Sequence, residues 1–266
     1  MIYNNNTITA ITYSGYDIVR AYSCEDKLVF GNEPSPHEHV KIHMYFEDGG
    51  EDIIVNCNSS GELTNYEVFE AEIQAGRRTM WGATHVNIGD CTTEVEHNLL
   101  AWTAASQSNE TLTSVTVANT VTKIGYSFCQ GRTALKYVNL PSTIKTLEAY
   151  SFYECKSLPE FRIKDGVEII ENNVFDDCTS LFDIVIPNTV TSIGNGAFAI
   201  SNGTELINEK RKVTILATTP PTLGANAFTF QSGKATYKIY VPAESLETYK
   251  SAERWSYYAD RIQAIV

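Results

Sequence analysis

From residue 112 onward, apolar residues return every 23 positions. Leu112, Leu135, Leu158 and Leu181 open four successive copies. Three residues after each stand Val115, Val138, Phe161 and Ile184, and two further on Val117, Leu140, Ile163 and Ile186. Val121, Ile144, Val167 and Val190 follow, then Ile124, Leu147, Ile170 and Ile193. Within a copy the spacing predicts two short strands. In the fourth, Ile184 and Ile186 share one face while Asp183 and Val185 take the other. Pro187 and Asn188 end the strand and turn the chain. Val190 and Ile193 then re-enter the core, and Phe198 closes the far side. A unit this small cannot bury its apolar face alone, whereas stacked units can, each rung ~4.8 Å from the next. A period of this length is the signature of a solenoid.

Weaker copies flank the clean ones. Val86, Ile88, Val95 and Leu99 precede them; Ile215, Leu223 and Phe228 follow, with polar insertions between, and Lys238–Pro242 supplies a further strand. About seven rungs are expected between residues 84 and 266. After Pro242 the pattern changes: Leu246, Tyr249, Trp255 and Ile262 fall at roughly helical spacing. Residues 243–266 are therefore expected to cap the last rung, which would otherwise lie open to water.

Ahead of the array, residues 1–33 alternate differently. Ile8, Ile11, Tyr13, Ile18, Tyr22, Leu28 and Phe30 suggest three short strands, too small to be stable alone. This module is expected to anchor or oligomerise the chain, giving a homo-oligomer or contacts with other structural proteins. Residues 34–83 read as a linker and bridge holding a hairpin. Val40, Ile42, Met44 and Phe46 share a face, Asp48 to Gly50 turns, and Ile53 to Val55 returns.

The run from Leu181 to Phe198, with Phe175 and Cys178 before it, resembles the BspA-like leucine-rich repeat family, and the segment from Ile239 resembles the cap that closes such arrays. The resemblance covers about residues 84–266. It implies a mainly β leucine-rich repeat solenoid with a C-terminal helical cap, and a binding role, since members are surface proteins associated with adhesion. This sequence departs from the pattern at Ser201, where a cysteine is usual, and at Tyr126 to Phe128, one residue short of the usual spacing. The N-terminal module more loosely resembles virion and tail-associated proteins of gut phages.

Composition narrows the chemistry. A net charge of −12 argues against a nucleic-acid-coating surface. No apolar run reaches the ~20 residues of a membrane helix. The opening residues lack the basic and continuous apolar regions of a secretory leader, which favours display on a phage or prophage particle over a cell envelope. The six cysteines form no Cys-x-x-Cys pair, and free, mostly buried thiols are expected. Cys155 and Cys178 share a repeat position, where small buried fillers are expected to stack. All five histidines lie at or before His97, so no nucleophile–histidine–carboxylate arrangement forms within the clean repeats alone. A faint phosphate-loop echo at Gly233–Lys234 fails at both of its ends. His37 and His39, with His43 nearby, are the only metal-like cluster, and a polar linker explains them as well. No cofactor is implied.

What remains is the outward face of the first strand. Tyr137 and Asn139, then Glu160, Arg162 and Lys164, then Asp183 form a mixed strip of the residue types that binding surfaces favour. The sequence thus points to a non-enzymatic binding or structural protein that meets a protein or glycan on a host cell. The setting expected from sequence is a virion; the alternative is a bacterial cell-surface adhesin.

Overall fold

The computed structural model describes residues 40–46, 53–56, 62–64, 67–68, 71, 82–101, 111–200, 211–229 and 237–265, with four two- or three-residue strands between Tyr3 and Ile18. The array is a leucine-rich repeat solenoid with three faces. The first carries the long strands His85–Ile88, Ser114–Val117, Tyr137–Asn139, Glu160–Arg162, Asp183–Ile186, Lys212–Ile215 and Lys238–Val241. The second carries the short strands Glu62–Leu63, Glu94–Val95, Lys123–Ile124, Thr146–Leu147, Ile169–Ile170, Ser192–Ile193 and Thr222–Leu223. Pairing is parallel and in repeat register: Ser114 faces Tyr137, Glu160 faces Asp183, and Ile169 faces Ser192.

The third face is a ladder of turns. Asn98, Ser127, Tyr150, Asn173, Gly196 and Asn226 occupy equivalent positions, all at φ between 54° and 60°. The left-handed backbone there lets alternate amides point along the stack. Leu100 N–H donates to Phe128 O, Cys129 to Ser151, Phe152 to Val174, Phe175 to Ala197 and Phe198 to Ala227. This ladder runs unbroken from Asn98 to Thr229.

The other two faces each break once, the short-strand face one rung before the long-strand face. Among the described residues, no pairing joins Tyr137–Asn139 to Glu160–Arg162, or Lys123–Ile124 to Thr146–Leu147. On the long-strand face the cause is one residue. Lys136 N–H donates to Thr113 O and Phe182 N–H to Pro159 O. Pro159 holds the same repeat position as both and has no N–H to give its predecessor.

The repeat positions named from sequence line one continuous core from Ile42 to Ile262. All are buried except Val138, which is half-buried beside the break and packs on the same core. Each buried Ile or Leu contributes about 2 kcal/mol. Phe152, Phe175, Phe198 and Phe228 stack face to face along the axis, 5.3–5.4 Å apart and within 11° of parallel. Phe128, one position early in its copy, meets Phe152 edge-on at 6.3 Å and 89°. Threonine hydroxyls tie rungs at the corner after the long strands: Thr120 donates to Thr92 O at 2.9 Å and Thr189 to Val167 O at 2.7 Å.

Extra residues enter mostly at one corner. Between neighbouring rungs the distance along the chain exceeds the 23-residue period where His85 pairs with Ser114, Asp183 with Lys212 and Lys212 with Lys238. In the first two of these the surplus falls between the turn face and the next long strand; in the third most of it does, with one residue between the long and short strands.

At the N-terminal end, Val40–Tyr45 pairs antiparallel with His85–Ile88 on one side and with Ile53–Asn56 on the other. The predicted hairpin therefore extends the first sheet directly. Lys41 is fully buried; its ammonium donates to Glu67 at 2.7 Å and to Glu62 O, pinning the next segment over the first rung. In the first 33 residues two tight antiparallel pairs form, Tyr3–Asn4 with Thr7–Ile8 and Ile11–Tyr13 with Tyr16–Ile18. The strands expected around Tyr22, Leu28 and Phe30 lie outside the described residues.

The cap is less helical than its spacing suggests. The α-helix covers only Leu246–Ser251, and a left-handed Arg254 (φ 63°) ends that course before the 3-10 turn Trp255–Arg261. Ile262, expected on a helix face, instead starts a strand, Ile262–Ala264, that pairs parallel with Lys238–Val241. The sheet edge is closed by one more strand. The helix and turn anchor to the rung before, through Trp255 Nε1 donating to Pro221 O at 2.7 Å and Tyr249 Oη to Ala217 O at 2.8 Å.

Candidate recognition surface

Strand alternation places the predicted strip on the outer side of the long-strand face. Tyr137 is 55% exposed, Glu160 and Arg162 are exposed, and Asn139 and Lys164 are half-buried. Tyr137 and Glu160 hold the same position on successive rungs, so the unpaired level passes between them. The strip is thus two patches, Tyr137 with Asn139 and Glu160 with Arg162, separated where the ladder parts. Asp183 lies on the same outer side and has a neighbour of opposite charge. It pairs with Lys212 at 2.9 Å, a contact that also raises the pKa of the lysine. That partner was hidden in sequence because the insertion after Ile200 displaces Lys212 from the 23-residue frame.

Other candidates resolve into structure. Cys155 and Cys178 stack as expected, their thiols donating to Cys129 O at 3.3 Å and Phe152 O at 3.1 Å. Burial pushes all three thiols, Cys129 included, well above the ordinary cysteine range. They are inert fillers. The expectation of free thiols throughout fails at Cys91, which is disulfide-bonded to a partner outside the described residues. A chain this size does not need such a staple for its core, so the even cysteine count alone did not call for one. His37 and His39 lie outside the described residues. His43 is buried and stacks on Tyr45 at 3.9 Å. Among the described residues no group of three or more His, Cys, Asp or Glu could hold a metal ion, and no helix is long and apolar enough to cross a membrane.

Sequence reasoning missed one exposed group, an aromatic row on the turn face formed by His97, Tyr126, Tyr150 and Tyr153. Its only trace in the sequence is the doubled Tyr-Ser-Phe at residues 126–128 and 150–152.

Comparison with known proteins agrees with the repeat geometry. Residues 104–235 match the BspA type leucine rich repeat region in six copies. Among solved structures, similarity extends to a leucine rich cell surface protein of Faecalibacterium prausnitzii, at 26% identity and TM-score 0.37, over 41% of this chain and 27% of that one. The T. pallidum leucine rich repeat protein follows, at 23% identity and TM-score 0.42, over 55% of this chain and 75% of the other. The pneumococcal vaccine antigen PcpA gives 17% identity and TM-score 0.47, over 69% and 41%. This chain thus spans about a quarter of the length of the F. prausnitzii protein. No curated protein matches the chain.

Proposed function

Because the chain belongs, through residues 104–235, to the BspA-type leucine-rich repeat proteins, we propose that it is a non-enzymatic binding protein of the adhesin kind, displayed at a bacterial cell surface. The family match carries this reading. The disulfide at Cys91 supports it, since such bonds persist in oxidising, extracellular settings. The virion setting expected from the opening residues draws no support from the family, and the phage resemblance of the N-terminal module is matched by no comparison.

In this reading the outward strip meets a host protein or glycan. Tyr137 and Arg162 supply the large amphipathic side chains that dominate interface energetics. Replacing Tyr137, Glu160 and Arg162 together by alanine should lower attachment to host-cell protein or glycan at least about tenfold. The melting temperature should stay within about 2 °C, because these side chains point outward. Parental attachment by the triple variant would remove the strip from the function. Residues 1–33 are assigned to self-assembly. Light scattering on the full chain and on one starting at residue 34 tests this, and the shorter chain is expected to be monomeric.

A further inference from the structure

The turn face has two left-handed columns, and in the one that starts at Asn98 every position except one holds a residue suited to it. Asn98, Asn173 and Asn226 tolerate that backbone, Gly196 is free to adopt it, and Ser127 is small. Tyr150, at φ 59°, is the exception. A bulky side chain there is a genuine outlier, and such strain persists where something else selects the residue. Core packing does not select it, because Tyr150 is only half-buried and is not part of the hydrophobic core.

Its surroundings show what the ring joins. Tyr150 meets Tyr126 at 5.4 Å and Tyr153 at 5.7 Å, and Tyr126 meets His97 at 6.2 Å. The row crosses three rungs and stops at Asn173. It is held in place: Tyr126 N–H donates to His97 Nδ1 at 2.8 Å, and Tyr126 itself is 40% exposed. Carboxylates flank it on both sides. Glu148 lies 3.7 Å from His97 Nδ1 and 4.0 Å from Lys123, and Glu171 accepts from Ala149 N–H at 3.0 Å. Burial, then Glu154, Asp177 and Asp176, push the Tyr153 phenol up to about 12, so it stays neutral. Lys123 and Lys156 each lie within 4.0 Å of one of these acids.

Neighbouring rings are inclined at 65–73°. Sugar rings stacking along a row favour coplanar platforms, which this is not. Tilted tyrosines set between carboxylates suit a cation lying against ring faces. We propose that the row His97–Tyr126–Tyr150–Tyr153 is a second interaction surface, separate from the strand strip, and that it takes an extended cationic segment of a partner protein through its Arg or Lys side chains. The overall charge of −12 adds long-range attraction for such a segment.

The test titrates the full chain, by calorimetry at physiological salt, with an end-blocked octapeptide alternating Arg and Gly. A Ser-Gly octapeptide and a neutral oligosaccharide serve as comparisons. The Arg-Gly peptide should bind and the other two should not. Tyr150→Asn installs the residue used at the next rung, Asn173, so its melting temperature should equal or exceed the parent's. Its affinity for the Arg-Gly peptide should fall about fivefold, and adding Tyr126→Ala should take the loss beyond tenfold. Glu244→Gln with Glu247→Gln, on the cap, should leave binding unchanged. Parental affinity in the tyrosine variants would overturn the proposal, as would equal losses in the cap variant, which would reduce the binding to bulk charge. A lowered melting temperature for Tyr150→Asn would overturn it too, by showing that the ring is there for packing. Oligosaccharide binding lost with the tyrosines would reassign the row to glycans.

Discussion

The two halves of the array are built from the same repeat and are not equally regular. After Pro159, long strands pair rung to rung through to Ile262–Ala264, and the phenylalanines lie within 11° of parallel. Before it, the first sheet mixes parallel rungs with the antiparallel hairpin, and Phe128 meets its neighbour edge-on. Two local differences account for this: a missing amide at Pro159, and a phenylalanine set one position early at Phe128, where later copies hold Ser151, Val174 and Ala197. The turn face passes both without interruption. A solenoid thus tolerates a fault on one face when another carries the register across it.

The comparison breaks most completely in the core. Ile163 is 3% exposed on the first rung after the break. Ile163→Asp should cost about 4 kcal/mol, a buried unpaired carboxylate having no compensating partner, and urea titration should show the regular half unfolding with it. Removing residues 243–266 comes next. It uncovers the Lys238–Val241 strand, whose outer partner is Ile262–Ala264, and size-exclusion should show concentration-dependent self-association. A monomer of parental stability would make the tail an appendage. Pro159→Ala sharpens the contrast with a smaller effect. The restored amide gains about 1 kcal/mol of hydrogen bonding, while the unfolded chain regains about as much freedom. Stability should change little, yet the amide of residue 159 should be protected in hydrogen exchange. Rapid exchange there would show that something other than the proline holds the rungs apart. Thr191→Asp is the smallest change. Thr191 is exposed and its hydroxyl donates to Glu168 O at 3.3 Å, so less than about 0.5 kcal/mol is expected.

What can be read from sequence follows from which positions are chemically constrained. Leu158, Ile163, Val167 and Ile170 are apolar because the core admits nothing else, so their period survives in one sequence. The turn-face ladder does not announce itself, because Asn98, Ser127, Tyr150 and Gly196 share a backbone angle and no chemistry. Alternation marks Val40–Tyr45 as half of a hairpin, but not as a strand of the first sheet, since it specifies a face and not a neighbour. The same limit applies to the candidate site. The outward direction of Tyr137, Glu160 and Arg162 follows correctly from alternation. That Asp183 is paired, and that the strip is divided, does not follow from it. Only the strand pairing shows that the ladder parts between the two patches.

The corner where surplus residues enter has a consequence for how such a chain changes over time. Because lengthening there leaves long strand, short strand and turn in step, sequence can be added or trimmed without rewriting the rungs on either side. Selection can therefore vary a loop beside the strand face while the scaffold is inherited unchanged. An experimenter can use the same port: an epitope spliced between Ile200 and Arg211 should be carried at a fixed height on the array.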